Sequence, residues 1–148
     1  MSTGTIRSLV LRLTAAVALI QAIGHGALFL TARPASGSAA DRIISAMRSE
    51  SFDYGLLGFR TYWDMYFGYG IITIVLALGL AALIWVAAGI DNLRQQRQLV
   101  AVIAAIVAAH AIVVFKYFFL LPFVFDVAVL AGLCLFLILG SSRAEVRS

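Results

Sequence analysis

The chain has 148 residues, of which 63% are hydrophobic and only 12% are Asp, Glu, Lys or Arg. A water-facing shell needs about 25% charged residues, so an ordinary soluble domain is excluded. One cysteine excludes a disulfide framework and a Cys-rich metal site. Two prolines and little low-complexity sequence speak against disorder.

Four stretches are long and apolar enough to cross the ~30 Å hydrocarbon core, which takes roughly 20 residues as a helix. They are Leu9–Leu30, about Tyr62–Ile90, Leu99 to about Phe118, and Pro122–Gly140. Leu99–Gly140 as one helix would extend roughly 60 Å, twice the core thickness. The chain must therefore reverse near Phe118–Leu121, and Pro122 suits the first turn of the next helix, where its missing N–H is harmless. The expected fold is all-α: a four-transmembrane-helix bundle, one domain, with a long outer loop between helices 1 and 2. Leu9–Leu30 followed by small residues could pass for a signal peptide, but it is too long for an h-region and contains Gln21 and His25.

Charge sets the orientation. Arg7, Arg12, Arg94, Arg97, Arg143 and Arg147 fall on one side with Asp91 and Glu145, a balance of +4. Arg33, Arg42, Arg48, Arg60 and Lys116 fall on the other with Asp41, Glu50, Asp53, Asp64 and Asp126, a balance of zero. The first side is expected in the cytoplasm, with both termini inside and the spans in the inner (plasma) membrane. The basic pI then reflects topology, and no clustered basic face with a base-stacking platform points to nucleic acid.

The outer connection, Thr31 to about Thr61, carries a capping-box pattern at Ser38 and Asp41. Ala40, Ile43, Ile44 and Met47 follow at helical spacing. Ala39–Ser49 reads as a short helix, either lying on the membrane surface or sitting in an ordinary soluble loop. Phe52, Tyr54, Phe59, Tyr62, Trp63, Tyr66, Phe67 and Tyr69 come next. Phe115, Tyr117, Phe118, Phe119, Phe123 and Phe125 crowd the outer end of spans three and four. Such rings form interfacial belts. Their one-sidedness admits a second reading, that they also line or cover a site.

Ionisable groups inside spans are costly and usually face protein or a wet cavity. Here they are His25, His110, Lys116 and Asp126, with Asp64 at the mouth of span two. By helix rise His25 lies ~7–8 Å, Asp126 ~6 Å and His110 ~12 Å below the outer ends. Thr14, Ala18, Gln21 and His25 form one stripe on span one, and small residues beside polar ones favour a protein-facing side. On span two Asp64 shares a stripe with Gly68, Ile71, Val75, Ala82 and Gly89. On span three Ala101, Ala105, Ala108 and Ile112 form a small face with Lys116 at its edge. His110 lies opposite, among Ile103, Ile106, Val113 and Tyr117, a face suited to lipid or a subunit contact. The expected cluster is therefore Gln21, His25, Asp64, Lys116 and Asp126.

That cluster has two readings. It can be a set of ion pairs fixing helix register. It can also be a pocket in which His25, Asp64 and Asp126 exchange protons with a bound molecule, bounded by Gln21, Tyr62, Trp63, Tyr66, Lys116 and Tyr117. Haem ligation by His25 and His110 fits poorly with their opposed faces, so no cofactor is expected. Cys134 reads as a small buried apolar residue. No P-loop, zinc spacing or nucleophile elbow is present.

The block TYWDMYFGYG, Thr61–Gly70, resembles the opening of the second span in a set of uncharacterised bacterial four-span proteins. The layout, size and polar outer ends resemble the DoxX-like group of small bacterial membrane proteins. Some of that group accompany quinone-linked sulfur oxidation. The resemblance permits such a role, with any redox centre borrowed from another subunit. The bundle is also analogous to sterol-isomerase-like membrane enzymes, without a residue-by-residue match. Three functions follow as expectations. The first is an accessory or ligand-binding bundle for a lipophilic or quinone-like molecule, with membrane-complex subunits or a second copy as partners. The second is an enzyme doing acid–base chemistry, such as isomerisation or ring opening. The third, transport, needs an oligomer because the inner half offers no polar route.

Overall fold

A computed structural model describes residues 3–141. Arg143, Glu145 and Arg147, counted in the charge balance, lie outside the described residues. The elements run α1 (Thr3–Thr31), α2 (Ala39–Ser49), β1 (Ser51–Asp53), a 3-10 turn (Gly55–Leu57), β2 (Phe59–Thr61), α3 (Tyr62–Ala87), α4 (Leu93–Tyr117) and α5 (Leu120–Ser141). Four of these helices, α1, α3, α4 and α5, are long and apolar enough to cross a membrane, and the protein is a multi-pass, helical membrane protein.

The chain divides into two compact units, one comprising the residues up to Ile23 with those from Ala77 onward, the other Gly24–Leu76. In the first unit, Leu11, Ala15 and Ala18 of α1 meet Ile84 and Ala87 of α3, Val100, Ile103 and Val107 of α4, and Val129, Leu133 and Phe136 of α5 in one buried core. Positions 126, 129, 133, 136 and 140 of α5 are all buried, the three- and four-residue spacing of one helix face. α4 and α5 are joined through Phe118 and Phe119 alone, and the Phe115 and Phe123 rings meet across that turn, tilted by 50° with centres 5.1 Å apart. Gly132 lets α1 and α5 approach closely: a Cβ placed there would overlap the Thr14 side chain.

Helix ends leave carbonyls without intrahelical partners, and side chains answer them here. Gln96 Nε2 donates to Ala87 O at 2.8 Å, Ser8 Oγ to Ala88 O at 3.0 Å, and Arg97 Nη1 to Gly140 O at 2.9 Å. Asn92 caps α4 by accepting from the Arg94 and Gln95 N–H groups. Arg12 lies over the Trp85 ring, 5.4 Å from its centre, so part of the basic set on this side is tied into the fold.

In the second unit, Ser38 caps α2 by accepting from Asp41 N, and Asp41 Oδ2 accepts from Gly37 N. The Ser38 half of the capping box read from sequence is present, while Asp41 accepts from Gly37 N and not from Ser38 N, which bonds Ala35 O; α2 has the expected bounds with no buried residue. β1 and β2 form an antiparallel hairpin with Phe52 opposite Arg60. Its turn needs the positive φ of Gly55 and Gly58, a backbone region that glycine enters freely. The segments of α1 and α3 in this unit meet where the Phe29 ring fills the space beside Gly70.

Two face assignments are corrected. On α3, Val75 and Ala82 are exposed, while Ala81, Ile84 and Ala87 are buried; Gly89, also exposed, lies in the turn after the helix. On α4, Ala101, Ala105 and Ile112 are exposed, and the buried face is Val100, Ile103, Ala104, Val107, Ala111 and Val114. Both helices are apolar almost all round, so no polar side marks the outward direction. Small size alone did not identify the packed face.

Candidate functional site

α5 buries Asp126 on its core-facing side, only 4% exposed. An isolated carboxylate there would cost several kcal/mol, and two neighbours offset that. Gln21 Nε2 of α1 donates to Asp126 Oδ1 at 2.9 Å and also to Pro122 O at 3.3 Å. Pro122 O lies in the first turn of α5, so one amide fixes both the helix end and the carboxylate. On the other oxygen, His110 Nδ1 of α4 stands 3.0 Å from Asp126 Oδ2. One proton lies between that nitrogen and that oxygen, whichever carries it formally.

His110 is the residue whose placement departs most from expectation. At 100° per residue it sits about 70° from the centre of the buried face of α4. It is therefore on an edge and reaches α5. Half of its side chain is exposed, and Nε2 has no hydrogen-bond partner among the described residues. The open side continues an apolar strip, Ile106, Val113 and Tyr117, each at least half exposed. His110 lies seven residues before the end of α4 and Asp126 six residues into α5, or ~9–10 Å along the helices. The site is therefore a buried carboxylate that orients a half-open imidazole within an apolar surface. Such an imidazole can accept a hydrogen bond at Nε2 when neutral and donate one when protonated. Nδ1 held by a carboxylate is also how metal-bound histidines are oriented, although no group of three or more His, Cys, Asp or Glu able to hold a metal occurs among the described residues.

The other sequence candidates divide as follows. Gln21 and Asp126 are brought together. Lys116 places Nζ 5.1 Å from the centre of the Tyr117 ring. Asp64 is exposed and closes a reciprocal cap on α3: Thr61 N donates to its Oδ2 and its own N–H bonds Thr61 Oγ1, both at 3.0 Å. His25 stacks on Phe29, ring centres 6.2 Å apart, with Nε2 buried and unpartnered among the described residues. Trp63 and Tyr66 belong to the same aromatic group through Phe29 and Phe67, with the Arg48 guanidinium 4.5 Å over Trp63. Tyr62 packs on Phe52 instead. Cys134 is exposed and not buried as expected.

No protein-family model, no curated protein and no solved structure matches this chain.

Proposed function

We propose that this membrane protein binds a lipophilic molecule bearing a hydroxyl or carbonyl, of the quinol–quinone type, at the imidazole of His110. The observation that carries this reading is the 3.0 Å contact between His110 Nδ1 and buried Asp126, with the rest of the ring half open. Polar groups in a span usually face a partner, and Nε2 has none within the chain's described residues. A hydroxyl would donate to neutral Nε2, and a carbonyl would accept from the protonated ring. The apolar strip of Ile106, Val113 and Tyr117 suits a ring or isoprenoid tail. This role agrees with the DoxX-like resemblance and with an accessory subunit in a larger membrane complex. The excess of arginines on the N-terminal side supports placing both termini in the cytoplasm and the spans in the inner membrane.

The test is extraction of lipids and quinones from purified protein, comparing the wild type with His110→Phe and Asp126→Asn. The reading expects one molecule class enriched on the wild type and depleted on His110→Phe. Equal recovery from all three overturns it.

A second reading draws on the same pair, since an imidazole oriented by a carboxylate is the arrangement of a general base. In that case the molecule recovered from the wild type is a chemically altered form of that recovered from His110→Phe. Identical molecules leave binding alone.

A further inference from the structure

A side-open groove of about 290 Å³ follows one face of α3, lined by Asp64, Met65, Gly68, Tyr69 and Ile72, with Tyr54 from the preceding hairpin as a further wall. From Asp64 to Ile72 it descends ~12 Å along the helix. Its floor exists because position 68 has no side chain: a Cβ there would meet nothing within 4 Å. Its mouth and floor differ in chemistry. At the mouth stands the exposed Asp64 carboxylate, which among the described residues accepts from Thr61 alone. A carboxylate has about four acceptor sites, so capacity is left over. Arg60, four residues before Asp64 on β2, is exposed, and its Nη1 bonds Phe59 O. The Tyr54 hydroxyl is engaged by Met65 sulfur, which holds one aromatic wall upright. Below the mouth the lining turns apolar at Gly68 and Ile72.

An anion in the first turn of a membrane-crossing helix, a cation on the strand that leads into it, and an apolar trench below complement one amphiphile. We propose that the groove holds a zwitterionic phospholipid. Its ammonium meets Asp64 between the tyrosine rings, its phosphate meets Arg60, and an acyl chain lies over Gly68 against Ile72. The site uses neither Asp126 nor His110, and it stands or falls independently of the function proposed above.

The experiment is native mass spectrometry of the full-length detergent-solubilised protein with equal amounts of phosphatidylethanolamine and phosphatidylglycerol. The wild type retains the ethanolamine lipid about tenfold more, the scale of one charge-assisted hydrogen bond. Asp64→Asn removes that preference while keeping an acceptor for Thr61 N–H. Gly68→Leu fills open space, leaves helical circular dichroism unchanged and lowers retention of both lipids. Soluble phosphoethanolamine, a head without chains, does not displace the bound lipid. Equal retention of the two lipids by the wild type, undiminished retention by Gly68→Leu, or displacement by phosphoethanolamine would each overturn the proposal.

Discussion

His110 and Asp126, sixteen residues apart on adjoining helices, meet at 3.0 Å, with the carboxylate buried and the imidazole half open. The asymmetry gives the two residues different tasks. Asp126 is enclosed and held on its second oxygen by Gln21, so it fixes geometry. His110 faces outward and is the group a second molecule can reach.

Replacing Asp126 separates these tasks. Asp126→Leu leaves the Gln21 amide with only its longer bond to Pro122 O and His110 Nδ1 without its partner. A buried polar group left unpaired costs about 1–3 kcal/mol. Thermal unfolding in detergent is expected to show a loss of that size. Asp126→Asn, which still accepts from Gln21, is expected to lose less.

The α1–α5 approach at Gly132 gives a second test. Gly132→Ala sets a methyl against Thr14, and overpacking of this kind costs about 1–3 kcal/mol. Because the two side chains are in contact, Thr14→Ala is expected to recover part of that loss. The double-mutant cycle should be non-additive. An additive cycle would mean that the helices are not in contact there.

Gln96 is buried and donates to Ala87 O at the end of α3. Gln96→Leu keeps the volume roughly and leaves Ala87 O with the Ile90 N–H alone among the described residues. Loss of this one hydrogen bond is expected to destabilise by about 0.5–1.5 kcal/mol, whereas Gln95→Leu, at an exposed position one residue away, is expected to change stability little.

The hairpin and α3 meet at the Thr61–Asp64 cap. Thr61→Ala removes one half of it. Hydrogen exchange at the first turn of α3 is expected to accelerate, with exchange in α4 and α5 unchanged.

The spans were legible because length and hydropathy are properties of whole segments, and the α4–α5 reversal followed from bilayer thickness. α2 was legible from Ser38 and Asp41, whose hydrogen bonds are local. The hairpin was not: its strands have three residues each and lie inside an aromatic run that reads as an interfacial belt. Gly55, two residues after Asp53, was the available signal, since Asp53 Oδ1 accepts from Gly55 N at 2.8 Å. Within the site, Gln21 and Asp126 were found because polar groups on apolar helices stand out. His110 was not legible as a partner of Asp126, because alanine, valine and isoleucine occur on both the packed and the open side of α4: Ala104, Ala111, Val107 and Ile103 are buried, while Ala101, Val113 and Ile106 are exposed. The histidine sits at the edge of the packed face.

In the function proposed, Asp126 holds His110 so that Nε2 is offered to a molecule in the membrane. Nitrogen-15 NMR of histidine-labelled protein tests this most directly, with His25→Gln used to assign the ring signals. Asp126→Asn is expected to shift the His110 Nδ1 resonance, and a short-chain quinol is expected to shift Nε2 in the wild type. An Nε2 resonance indifferent to quinol, with Nδ1 unchanged in Asp126→Asn, would contradict it.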